Sequence, residues 1–120
     1  PQSQYGWDRG WLRAVAECAA PGAHVRASGP IIQIGEIAKL RRCLDDLYSR
    51  RIQEGTVDFL EPNLTLSFAS GPRGDLRFTV DLTPNHMTQS HQFIFEIDLS
   101  YLASVIRQCE GILEAFPDTQ

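Results

Sequence analysis

The sequence predicts an α+β fold: a two-layer sandwich in which a mainly antiparallel sheet of about six strands carries two amphipathic helices on one face. Three observations lead there. Apolar residues recur every three or four positions in two stretches, one through Ile37, Leu40, Leu44 and Leu47 and one through Leu102, Ile106, Cys109 and Leu113. Apolar and polar residues alternate in four stretches between Val57 and Ile97. The first pattern is the stripe of a helix and the second the single wet face of a strand. Finally, 120 residues with 42% hydrophobic and 22% charged side chains have a globular composition, sized for one domain over residues 1–120. Helical stripes need an apolar surface, and a half-wet sheet has one to offer.

Residues 1–9 are polar and aromatic and are read as an arm, flexible or truncated, or a broken strand. Trp11 to Cys18 alternates weakly, and Ala23 to Ser28 contains β-branched Val25. Both are expected to be strands joined by the Ala20-Pro21-Gly22 turn, with Gly29-Pro30 breaking the second. The first helix is expected over Gly35 to Arg51, with Gly55 as its stop. Its other face offers the i,i+4 pairs Arg41/Asp45, Arg42/Asp46 and Asp46/Arg50, each contributing roughly 0.2–0.5 kcal/mol.

The period then switches to two. Val57 and Phe59 flank Asp58; Leu64, Leu66 and Phe68 alternate with Thr65 and Ser67; Leu76, Phe78, Val80 and Leu82 alternate with Arg77, Thr79 and Asp81; Phe93, Phe95 and Ile97 alternate with Ile94, Glu96 and Asp98. Ser70-Gly71-Pro72-Arg73-Gly74 is turn chemistry and predicts a hairpin of Leu64–Ala69 with Asp75–Leu82. Thr83 to His91 is a longer connection, the segment where mobility is expected. The last helix is expected to start near Asp98 or Ser100, either of which can cap it, and to bury Leu102, Val105, Ile106, Cys109, Ile112, Leu113 and Phe116 before Pro117 ends it. Gly111 lies inside that helix at a cost of about 1 kcal/mol against Ala, which close packing would explain.

The alternation also sorts charge. If Leu76, Phe78 and Val80 face the helices, then Asp58, Asp75, Arg77, Asp81, Ile94, Glu96 and Asp98 share the opposite face. Net charge is −4 and unevenly spread: residues 1–55 hold 8 basic against 6 acidic side chains, residues 56–120 hold 3 against 9. A basic nucleic-acid footprint is missing, so direct nucleic-acid binding is not expected. The acidic face has two readings. It protects an open sheet from aggregation, or it attracts a basic partner, with Ile94 as an apolar contact among carboxylates. Asp58, Asp75, Arg77, Asp81, Ile94, Glu96 and Asp98 are the candidate partner-binding residues.

Signatures of chemistry are few. Gly71-Pro72-Arg73-Gly74 lacks the spacing and the Lys-Ser/Thr of a phosphate loop, and there is no G-x-S-x-G elbow. Cys18, Cys43 and Cys109 have no metal-ligand spacing and read as reduced core residues of a cytosolic protein. His86 and His91 sit five apart without a third ligand, so no metal or cofactor is expected. No apolar run approaches the ~20 residues of a membrane span. Pro1 to Gly6 has neither a basic nor an apolar signal region, so a cytoplasmic location is expected.

Two short motifs add a resemblance. Trp7-Asp8-Arg9-Gly10-Trp11-Leu12 resembles the W-D-x-N-W-L opening of a family of small bacterial proteins, with Gly10 where that family often has Asn. Phe59-Leu60-Glu61-Pro62-Asn63-Leu64 resembles the same family's central F-x-E-P-N-L segment. The aromatic strand, Asp98-Leu99, a helix and Phe116-Pro117 resemble its ending. The chain thus resembles the WapI-type immunity proteins over about Tyr5 to Pro117. That resemblance implies a non-catalytic inhibitor of the C-terminal domain of a polymorphic or contact-dependent toxin, with no small-molecule substrate and no membrane. Nucleases are common among such toxins, and an acidic inhibitor suits their basic surfaces. Two alternatives stay open: an adaptor or structural protein-binding domain of unknown partner, and an enzyme using His86 or His91. Trp11 and Leu12 are read as core anchors, and Glu61 as a strand-end carboxylate holding backbone N–H groups.

Overall fold

The computed structural model describes residues 11–59, 64–83 and 87–116, except for the side chains at 11, 12, 14 and 28–31. The arm at 1–9, the side chains of Trp11 and Leu12, Glu61, His86 and Pro117 lie outside the described residues. The elements run β1 (Trp11–Ala20), β2 (Ala23–Gln33), α1 (Ile34–Tyr48), β3 (Glu54–Asp58), β4 (Leu64–Ser70), β5 (Asp75–Leu82), β6 (Gln92–Asp98), a 3-10 turn (Leu99–Tyr101) and α2 (Leu102–Ala115). The predicted order of strands and helices holds, and the fold is α+β.

The six strands do not form one sheet. β3-β4-β5-β6 is an antiparallel meander, and β1-β2 is a separate antiparallel ribbon. The reason lies in how much apolar surface the meander exposes inward. At one end Phe68 and Leu76 pack with Leu44 and Leu47 of α1 and Leu102, Ile106 and Cys109 of α2. At the other end Val80, Leu82 and Phe93 are covered by Cys18, Val25 and Ala27 of the ribbon. The helices cover the end of the face that holds Phe68 and Leu76, and the ribbon completes the covering layer over Val80, Leu82 and Phe93. Leu66 and Phe78 touch both clusters, and Phe78 stacks on Phe68 with ring centroids 4.9 Å apart. The molecule is 18 Å along its thinnest axis, room for one sheet and one covering layer. Leu44, Leu47, Leu76, Leu82 and Leu102 are less than 2% exposed. Each contributes about 1.5–3 kcal/mol through burial, several times any surface ion pair.

Local chemistry departs from expectation at identifiable places. β2 runs past Gly29-Pro30 to Gln33, because the ladder skips a residue there: Ala14 pairs with Gly29 but Leu12 with Ile32. Proline has no N–H to donate, and a bulge leaves it no ladder bond to make. The ribbon turns at Pro21-Gly22, where Gly22 takes φ +86°, a conformation that glycine adopts freely. α1 starts where the Gln33 N–H donates to Glu36 Oε1 at 2.7 Å, half of a capping box.

α1 ends at Tyr48, not at Arg51, and Gly55 is not its stop. The Arg51 N–H donates to Asp46 O at 2.9 Å and the Arg50 N–H to Leu47 O at 3.1 Å. This is the double bond of a Schellman ending, with Arg50 at φ +64° where glycine is usual. The expected i,i+4 ion pairs do not form. Arg41 instead reaches across to Glu110 on α2 at 3.1 Å, and Arg51 folds back on Asp45 and Asp46. The α2 stripe is narrower than its sequence suggests: Leu102, Ile106 and Cys109 are buried, but Val105, Ile112 and Phe116 are exposed. α2 meets α1 and the sheet along one line, and its flank faces water. Gly111 has no neighbour within 4 Å of where a β-carbon would lie, so close packing does not explain it.

Candidate partner-binding face

Register determines what the uncovered side of the meander shows. Residues paired across strands point to the same face. Asp58 pairs with Thr65, Thr65 with Asp81, and Asp81 with Gln92. The next row is Thr56, Ser67, Thr79 and Ile94, and the next Glu54, Ala69, Arg77 and Glu96. Asp75 and Asp98 pair at the end. The structure therefore brings all seven sequence-predicted residues onto one face, opposite the buried Val57, Phe68, Leu76, Val80 and Phe93.

That face forms a platform. Its middle carries small side chains (Thr56, Thr65, Ser67, Ala69 and Thr79), and its acids stand around them. Across the four strands it holds the carboxylates of Glu54, Asp58, Asp75, Asp81, Glu96 and Asp98 and one guanidinium, Arg77. Ile94 is 59% exposed in their midst. The basic first half of the chain builds the covering layer instead, where Arg13, Arg26, Lys39 and Arg42 are exposed. The charge asymmetry of the sequence has become an asymmetry between two sides of the molecule.

The acids are not equivalent. Asp98 Oδ1 accepts the Ser100 N–H at 2.9 Å, and this backbone hydrogen bond holds its carboxyl below the usual carboxylate range. It caps the turn that leads into α2. Asp75 leans over the β4–β5 turn, its carboxylate filling the space where a side chain at Gly71 would start. Asp81 accepts from Gln92 Nε2 at 3.1 Å. Arg77 and Glu96 stand opposite each other without an ion pair among the described residues. Asp58 and Glu96 are exposed and, with Glu54, form the free acidic part of the platform. Glu54 is not among the residues that the sequence singles out; two steps of two back from Asp58 along β3, past Thr56, lead to it.

Beside Asp58 a cavity of about 460 Å³ is lined by Gln33, Gly35, Glu36, Lys39 and Phe59. Its buried acid, Glu36, already serves the start of α1. The thiols of Cys18, Cys43 and Cys109 are all pushed up by burial, so none is poised as a thiolate. His91 lies within 3.1 Å of Gln89 Oε1. Among the described residues no three His, Cys, Asp or Glu side chains gather as metal ligands, and no helix is long and apolar enough to cross a membrane.

A family model described as the immunity protein WapI-like family matches residues 1–117 of the chain. No curated protein and no solved structure matches it.

Proposed function

The chain belongs to the WapI-like immunity protein family, and we propose that it neutralises a cognate bacterial toxin domain in the cytoplasm by binding it, without turnover. The family match over residues 1–117 carries this reading. The acidic platform supports one way of achieving it. A toxin that acts on nucleic acid presents a basic surface, and six carboxylates around small side chains suit such a surface by charge and leave room for it to approach. Ile94 would supply the apolar contact at which water is excluded. Inhibition is then occlusion of the toxin's working surface.

Co-expression with a candidate toxin C-terminal domain, taken from a toxin gene next to this chain's gene, tests the proposal. Growth rescue and co-purification are the expected result; toxicity undiminished by the chain would end it. A salt series tests the charge component. Binding should weaken as ionic strength rises, because exposed charges are screened beyond roughly 10 Å at 0.1 M salt.

A further inference from the structure

Among the described residues β6 is an edge strand, and its register shows which of its backbone groups face away from β5. Leu82 N–H donates to His91 O at 3.1 Å and Leu99 N–H to Gly74 O at 2.7 Å. Both pairs continue the β5–β6 register, in which Leu76 pairs with Ile97, Phe78 with Phe95 and Val80 with Phe93. Hydrogen-bonded pairs alternate along an antiparallel ladder, so the odd-numbered residues of β6 bond to β5. The N–H and C=O groups of Gln92, Ile94, Glu96 and Asp98 point the other way, to the open edge. Among the described residues β6 pairs on that one side only.

Natural edge strands are usually blunted by charges, Lys above all, by Pro, a bulge or short length. β6 is seven residues long, has no Lys or Pro, and pairs without a register shift; the charges it carries, Glu96 and Asp98, are both acidic and so repel any segment that is not basic. On its inward side Phe93 is buried, whereas Phe95, like Phe78 opposite it, and Ile97 remain half-buried. A further strand would cover them.

We propose that β6 is the docking edge for an extended, basic segment of the partner, which adds a fifth antiparallel strand to the meander. This deepens the proposed function and rests on it. Residues opposite Glu96 and Asp98 would share the platform face with them, so Lys or Arg belongs there, and an apolar residue belongs opposite Ile94. Their neighbours in the segment would turn inward and cover Phe95 and Ile97. A second copy of this chain fits less well, because it would set another platform of six carboxylates beside the first.

Amide exchange by NMR on the full chain, free and bound to the toxin C-terminal domain used in the co-expression test, reads the edge directly. The Ile94 and Glu96 amides should exchange fast in the free chain and slow by about 100-fold or more in the complex. Ile94→Pro removes an edge donor and leaves the β5 ladder intact. It should weaken toxin binding about 10-fold or more, while Ile94→Thr, which keeps the N–H, weakens it less. Arg42→Ala, exposed on the covering layer away from the platform, should change binding less than about twofold. If the parent chain does not bind the toxin, the proposed function falls. If it binds with Ile94 and Glu96 still exchanging fast, or if Ile94→Pro binds as tightly as the parent, only the edge assignment falls. If those amides are protected in the free chain and lose protection on dilution, the occupant is a second copy and the assignment to a basic segment is overturned.

Discussion

The sulfur of Cys43 on α1 lies 2.6 Å from the point where a β-carbon on Gly55 would sit. Gly55 is thus the place where α1 approaches β3 too closely for a side chain, which is why a glycine expected to end a helix stands inside a strand. Gly55→Ala should destabilise the fold by about 1–3 kcal/mol, the usual cost of overpacking. Cys43→Ala in the same chain should recover part of that loss. Urea unfolding of the four members of the cycle checks it: additive effects would mean that the two residues do not meet.

Arg50 holds the left-handed position of the Schellman ending at φ +64°. A side chain costs roughly 1 kcal/mol there, and glycine does not pay it. The hydrogen bond that its guanidinium makes, Nη1 to Gly71 O at 3.4 Å, is long and exposed. Arg50→Gly should therefore raise Tm by a few degrees despite removing a side chain. A fall in Tm would show that the guanidinium contact matters more than the backbone.

The Asp98 carboxyl titrates below its ordinary value because it accepts the Ser100 N–H. Its contribution is complete above the unfolded value, ~3.9, and is lost as pH falls through the lower folded value. Asp98→Ala should lower Tm at pH 7, and the gap to the parent chain should narrow below about pH 4. Thermal melts across pH 2.5–7 (a range set by ~3.9 and the depressed value below it) would measure this; a gap independent of pH would deny the carboxylate its capping role.

Asp58, Asp81 and Glu96 face solvent on the platform, with Asp81 only partly covered. Neutralising all three, as Asp58→Asn, Asp81→Asn and Glu96→Gln, should leave Tm nearly unchanged. Association with the toxin domain should slow by about 10-fold at low salt, with a smaller effect on dissociation. Stopped-flow mixing separates the two rates. An unchanged association rate would leave the acids with only the task of keeping an open sheet soluble.

Much of the architecture could be read along the chain because its causes are local. A strand sends neighbouring side chains to opposite faces, so the alternation of Leu76, Phe78 and Val80 with Arg77, Thr79 and Asp81 both located β5 and assigned the acids to one side. Helix spacing likewise marked Leu44 and Leu47 for the core, where both are fully buried. Capping was equally local: Asp98 precedes the turn it holds.

What stayed hidden depends on groups far apart in sequence. Whether β1-β2 extends the sheet or covers it depends on how much of the inner face two helices leave bare, and no stretch of sequence contains that area. The end of α1 shifted because carbonyls of Asp46 and Leu47 found donors in Arg50 and Arg51, and Gly55 was needed by Cys43 across the layers. The open edge of β6 has the same origin. The pattern of Gln92 to Asp98 reads alike in an inner strand and an outer one; only assembly leaves its outward amides without a strand neighbour among the described residues, and such donors are what a partner strand can use.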